Sequence, residues 1–195
     1  MVEEKLHNIE EYAKKFNIPI IQKEGIEFLE QFIKEHNIEK ILEIGTAIGY
    51  SSIKMALISK KMRITSIERD EERYQEALKN INSFSLQDRI NTILGDALTL
   101  DLSEKYDLIF IDAAKAQNKK LFLKYEKNLR EDGYIITDNL YFHGYVFRKM
   151  EEIESKNIRG LVRKIKEYTE FLQNNKEYET KFYSLGDGIS ISKRI

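Results

Sequence analysis

Apolar residues in the first forty positions recur at three- and four-residue spacing. Leu6, Ile9, Tyr12, Ala13 and Phe16 share one face of a short helix that must end before Pro19. Ile26, Leu29, Phe32 and Ile33 repeat the pattern between Gly25 and His36. The period then changes. Lys40 to Ile44, Arg63 to Ile67, Arg89 to Leu94, Tyr106 to Ile111 and Tyr134 to Thr137 are short, mostly apolar runs, which predict strands of a parallel sheet covered on both faces. Helical spacing separates them. It runs over 51–59, over 70–84 with Tyr74, Ala77, Leu78 and Ile81, and over 117–129 with Leu121, Phe122, Tyr125 and Leu129. Asp132-Gly133 reads as the turn leading into the fifth strand. After a helix over 158–174, the runs 178–185 and 189–193 flank Gly186-Asp187-Gly188, the pattern of an antiparallel hairpin.

This alternation predicts an α/β fold: a Rossmann-like seven-stranded sheet of five parallel strands plus a C-terminal hairpin, with helices on both faces. A dinucleotide-binding enzyme would show six parallel strands. Neither an internal repeat nor a low-complexity linker interrupts the 195 residues, so one domain is expected, with 1–37 as a helical cap.

Composition removes several function classes. Charged residues make up 33% of the chain but the net charge is −1, so any nucleic-acid contact must use a local patch. With no cysteine there is no disulfide, thiolate chemistry or cysteine-bound zinc. No apolar run approaches the ~20 residues of a membrane span, and the charged start Met1-Val-Glu-Glu-Lys lacks a signal-peptide core. A cytoplasmic protein without a membrane partner is expected.

The chemistry begins at Ile41-Leu-Glu-Ile-Gly-Thr-Ala-Ile-Gly-Tyr-Ser-Ser52. A strand ends in a carboxylate, turns through Gly45 and Gly49 and enters a helix at Ser51, a geometry that lets backbone approach a nucleotide-like ligand. The spacing is not G-x-G-x-x-G, which points to an adenosine compound without a diphosphate. Acids close the strands: Glu43, Glu68, Asp96, Asp112 and Asp138. Glu68 lies where a carboxylate accepts ribose hydroxyls, and Asp96, in Leu94-Gly-Asp-Ala97, where one can meet an adenine amino group. Single acids at such places often only cap helices; five in order after a glycine loop argue for a ligand cleft.

Asp112 and the pair Asp138-Asn139 end two neighbouring strands. Two carboxylates and an amide form a hard-oxygen set suited to Mg²⁺. Lys115 lies three residues past Asp112, and a divalent ion beside it disfavours its protonation. That would let it act as a general base. A turn at Asp138-Asn139 and a helix cap at Asp112 remain the plainer alternative.

Together, Leu42-Glu-Ile-Gly-Thr-Ala-Ile-Gly-Tyr-Ser51, Ile67-Glu68, Gly95-Asp96-Ala97, Phe110-Ile-Asp-Ala-Ala-Lys115 and Thr137-Asp-Asn139 resemble the cation-dependent O-methyltransferases of the catechol and caffeoyl-CoA type. The resemblance runs from Pro19 to the hairpin. It implies an S-adenosylmethionine site lined by Ile21, Glu43, Gly45, Ser51, Glu68, Asp96, Ala97 and Asp112, a Mg²⁺ site of Asp112, Asp138 and Asn139, and Lys115 as base, with Asp112 sharing the catalytic role. It also implies a homodimer. Against the family pattern the chain starts late, which bears on the acceptor lid and the dimer contact.

Within that family, Ala113-Ala-Lys-Ala-Gln117 and Arg159-Gly-Leu-Val-Arg-Lys-Ile-Lys-Glu-Tyr168 look most like the branch that methylates 5-hydroxyuridine at the tRNA wobble position. The partner implied is a tRNA anticodon stem-loop. Arg148, Lys149, Arg159, Arg163 and Lys164 would meet phosphates, and Tyr141, Phe142 and Tyr145 would stack on a base. A small catechol-like acceptor is the alternative under the same chemistry. A nicotinamide oxidoreductase and a non-catalytic adenosylmethionine binder fit the residues less well.

Overall fold

A computed structural model describes residues 1–195. Its residues gather into two compact units, Met1–Leu102 and Ser103–Ile195.

The first unit opens with two amphipathic helices, α1 (Val2–Phe16) and α2 (Lys23–Glu35). Asn17, in the left-handed region at φ 53°, ends α1 ahead of Pro19. There follow β1 (Lys40–Ile44), α3 (Tyr50–Ile58), β2 (Arg63–Glu68), α4 (Glu71–Ser83) and β3 (Ile90–Leu94). β1 pairs parallel with β2, and β2 with β3. Ile41, Leu42, Ile44, Ile64 and Ile67 from the strands are buried with Ile53, Met55 and Ala56 of α3 and Ala77 and Ile81 of α4. β3 ends the sheet and is only partly covered: Leu94 is exposed. The N-terminal helices are anchored by polar contacts to α3, with Tyr50 donating to Glu10 at 2.6 Å and Lys54 paired with Glu30 at 3.0 Å.

The second unit holds β4 (Tyr106–Ile111), α5 (Asn118–Tyr125), β5 (Leu129–Thr137), α6 (Lys156–Asn174), β6 (Tyr178–Tyr183) and β7 (Ile189–Arg194). β4 and β5 are parallel, while β7 runs antiparallel to β5 and β6. The core is aromatic. Phe122 of α5 meets Tyr178 at 5.1 Å and Phe171 at 5.4 Å between centroids, both edge-on. Tyr168 of α6 is buried and shares a 2.8 Å hydrogen bond with Thr137.

Strand order is β3-β2-β1-β4-β5-β7-β6, a seven-stranded mixed sheet with the expected terminal hairpin. Two local expectations fail. The helix expected over 117–129 is broken into a 3₁₀ turn at Lys115–Gln117, α5, and a second 3₁₀ turn at Glu126–Asn128. Asp132-Gly133 is no turn but lies inside β5, where the register with β4 slips between Tyr106 and Leu108. Gly133 is required there by space: a Cβ would stand 2.8 Å from Leu129 and 2.9 Å from the Asp107 carbonyl. No helix is long and apolar enough to cross a membrane.

Candidate active site

The glycine loop between β1 and α3 turns through Gly45 at φ 107°, Ala47 at φ 47° and Gly49 at φ 84°. The Gly45 and Thr46 amides bond the Ile67 carbonyl at 3.0 and 3.3 Å, which ties the loop to the end of β2. Glu68 completes that tie. Its Oε2 accepts from the Ala47 amide at 2.8 Å, and its Oε1 from the Arg69 and Asp70 amides, both at 2.9 Å. Glu68 therefore sits against the loop, with both carboxylate oxygens accepting from backbone amides. Asp96 is exposed just past β3, with Oδ1 accepting from Leu98 N at 2.8 Å, and Ala97 and Ile21 are buried.

Glu43 is 0% exposed. The parallel register sets it beside Ser66. Its Oε1 accepts from Ser51 at 2.5 Å, while its Oε2 accepts from Ser66 at 2.5 Å and also from Ser52. Thr46 extends this buried network with a 2.5 Å bond to Ser66. Burial pushes the Glu43 carboxyl above its usual range; the three hydroxyls pull it down, and Glu68 adds to the rise. Glu43 and Ser51 thus act in this structure from beneath the loop, as the brace that fixes its shape. Ser52 stands beside Ser51 at the start of the helix in the sequence, whereas nothing there marks Thr46 or Ser66 for this network.

The second group lies in the other unit. Ile111 and Thr137 are register partners, so Asp112 and Asp138 leave the ends of adjacent parallel strands side by side. Asn139 Nδ2 donates to Asp112 Oδ1 at 2.6 Å, and the Asn139 amide donates to Asp138 Oδ1 at 2.7 Å. Asp138 is 6% exposed. Its carboxyl is pushed up to about 7, first by burial and then by the charge of Asp112, against the Asn139 amide and Lys115, which lower it. Lys115 stands half-buried at the first 3₁₀ turn, its Nζ 5.7 Å from the centre of the Phe142 ring. No group of three His, Cys, Asp or Glu side chains gathers as a metal cluster. The donor set is two carboxylates and an amide. Its chemistry fits a hard divalent cation: two acids crowded together in low dielectric are relieved by positive charge, and a half-turn of the Asn139 amide presents oxygen in place of nitrogen.

The expected basic residues divide into two kinds. Arg148 covers the Tyr145 ring at 4.6 Å, and Lys149 and Arg163 are exposed. Lys164 pairs with Glu167 at 3.0 Å on the exposed face of α6. Arg159 is half-buried and spends its guanidinium on the carbonyls of Ile153 and Glu154, where it secures the entry to α6. Between Asn139 and α6 runs an aromatic loop in which Phe142 lies 5.3 Å from Tyr145 and Tyr141 lies 4.9 Å from Phe147. Phe147 is 71% exposed.

With this geometry established, the comparisons with known proteins agree in one direction. The O-methyltransferase family profile matches residues 2–195. The chain belongs to the O-methyltransferase family. A solved Staphylococcus aureus structure assigned as a caffeoyl-CoA O-methyltransferase is 38% identical, with a TM-score of 0.93 over 97% of this chain and 92% of that one. An O-methyltransferase from Bacillus cereus, solved with S-adenosylhomocysteine, is 26% identical, with a TM-score of 0.83 over 98% and 91%. Among curated proteins, the caffeoyl-CoA O-methyltransferase of Populus kitakamiensis is 27% identical over 176 residues, covering 86% of this chain and 75% of its own.

Proposed function

We propose that this O-methyltransferase uses S-adenosylmethionine and Mg²⁺ to methylate the 5-hydroxyl of wobble 5-hydroxyuridine in tRNA, giving 5-methoxyuridine. The observation that carries the chemistry is the buried Asp138 beside the partly buried Asp112, with Asn139 bonded to both. The Bacillus cereus relative, solved with S-adenosylhomocysteine, supports the donor.

The first unit supplies the donor side. Gly45 and Gly49 present bare backbone at the two ends of the loop, Glu68 would offer acceptors for the ribose, and Asp96 for the adenine amino group. The brace of Glu43 and its three serines keeps that loop pre-organised. The second unit supplies the acceptor side. Asp112, Asp138 and Asn139 would hold Mg²⁺, which when bound supplies Lewis-acid polarisation of the acceptor hydroxyl. Lys115 would receive the hydroxyl proton at Nζ. The methyl group passes from the sulfonium sulfur to that oxygen, leaving S-adenosylhomocysteine. Asp112 would share the charge of the site.

Support for tRNA comes from the loop after β5. Tyr145 under Arg148, Phe142 under Lys115 and the exposed Phe147 offer ring faces and cations to a base displaced from its stack. Lys149, Arg163 and Lys164 extend positive charge onto the surface for phosphates, while Arg159 serves the loop. A homodimer in the cytoplasm belongs to the same reading.

A second reading, a catechol-like small acceptor, is favoured by the caffeoyl-CoA names of the relatives. Salt separates the two. Phosphate contacts make affinity fall steeply between about 50 and 200 mM salt, whereas a small neutral acceptor shows no such slope. The experiment is methylation of tRNA carrying 5-hydroxyuridine, read by nucleoside mass spectrometry.

A further inference from the structure

The loop that follows β5 passes through backbone conformations that L-residues seldom adopt. Asn139, Phe142 and His143 have φ of 68°, 46° and 52°, and Gly144 follows at 79°. Such geometry persists only where the surroundings over-determine it. The surroundings here are the tip of the β6–β7 hairpin, read from sequence as nothing more than a turn.

Asp187 is the centre of that tip. Its Oδ1 accepts from the His143 amide at 2.6 Å, and its carbonyl accepts from the Tyr141 amide, also at 2.6 Å. The Gly188 carbonyl takes the Leu140 amide at 3.0 Å, and the Ser184 hydroxyl shares a 2.8 Å bond with the Tyr141 phenol. The Tyr141 ring lies directly on Gly188, where an added Cβ would stand 2.7 Å from its Cγ. These contacts all fall between Leu140 and His143, immediately after Asn139 and around Phe142.

Asp187 is also an expensive residue to keep. It is 6% exposed, and its Oδ2 has no hydrogen-bond partner. The His143 Nδ1 lies 3.8 Å from that oxygen, on an exposed ring. Leaving half a carboxylate unsatisfied in the interior costs stability unless the residue serves something else. Its charge reaches Asp138, whose carboxyl it helps to raise, although it joins no three-acid cluster with Asp112 and Asp138.

We propose that Asp187 is a positioning residue: through the His143 amide it fixes the loop 139–147, and so sets where Asn139 and Phe142 present themselves to the acceptor. The role in catalysis rests on the methyl-transfer reading above; the holding of the loop does not.

The test uses full-length D187A and D187N in two measurements. In hydrogen exchange without substrate, D187A raises exchange across 139–147 by about tenfold or more while β4 and α6 keep wild-type protection. With tRNA containing 5-hydroxyuridine as acceptor, D187A raises the acceptor KM by about tenfold and leaves the affinity for S-adenosylmethionine unchanged. D187N keeps an oxygen for the His143 amide and restores both values to near wild type. Unaltered exchange in D187A overturns the proposal. So does loosening that is equal in β4, α6 and the loop, which would make Asp187 a general stability residue, or an acceptor KM that stays put while the loop loosens. A wild-type protein that methylates no hydroxyl acceptor sinks the methyl-transfer reading instead, and exchange then decides the clamp alone.

Discussion

Asn139 reaches across from the end of β5 to Asp112 at the end of β4, with 2.6 Å between its Nδ2 and the carboxylate Oδ1. One side-chain bond thus joins the outlets of two parallel strands, and the buried Asp138 feels the charge of Asp112 there. Like charges held this close in the interior call for a cation. Magnesium should therefore raise the thermal midpoint of the wild-type protein and leave that of Asp138→Asn unmoved, as a melting series with and without Mg²⁺ will show. An equal shift in both proteins would place the ion elsewhere.

Lys115 has the proton-transfer role. Lys115→Met keeps an unbranched aliphatic side chain and removes the amine that stands over Phe142. We expect a loss of about 10²–10⁴ in kcat, with donor affinity measured by calorimetry unchanged. Wild-type turnover in that variant would remove Lys115 from the chemistry.

The basic face of α6 separates the two acceptor classes. Arg163→Glu with Lys164→Glu should weaken tRNA binding by at least about tenfold at physiological salt and flatten its salt dependence. Transfer to a catechol should be untouched. Equal loss on both acceptors would mean damage to the fold.

Glu43 makes a pH prediction. Burial raises its folded-state pKa above the usual 4.5, so between those values the folded protein binds more protons than the unfolded chain. Stability then falls as pH rises through that window. Glu43→Gln carries no proton to lose and keeps an oxygen for the serines. Urea melts from acid to neutral pH should show the variant gaining on the wild type as pH rises. The reverse trend would mean that Ser51, Ser52 and Ser66 stabilise the anion more than burial penalises it.

Much of this architecture was legible in the chain because a buried parallel strand has to be apolar on both faces. Ile41–Ile44 and Leu108–Ile111 therefore announce themselves, with Glu43 inside the first run and Asp112 directly after the second. The parts that were not legible depend on contacts distant in sequence. Asp132-Gly133 has turn chemistry, yet the backbone there bulges within β5 because Asp107 and Leu129 leave room only for a glycine. Leu129 is in phase with α5 but begins β5, since the helix has already tightened into a 3₁₀ turn at Glu126–Asn128. The spacing of Glu43 to Gly45 is visible in the chain, whereas the strand pairing that brings Ser66 to it is not. Asp187 offered only an acid between two glycines with no helix to cap.

The central claim is cation-dependent methylation of wobble 5-hydroxyuridine. Its most direct measurement is nucleoside mass spectrometry on 5-hydroxyuridine-containing tRNA incubated with S-adenosylmethionine and either wild-type protein or Asp138→Ala, with and without EDTA. We expect 5-methoxyuridine to form with the wild type, vanish with EDTA, return with Mg²⁺ and be absent for the variant. Full 5-methoxyuridine formation in EDTA, or no product from the wild type with Mg²⁺ present, would contradict the account.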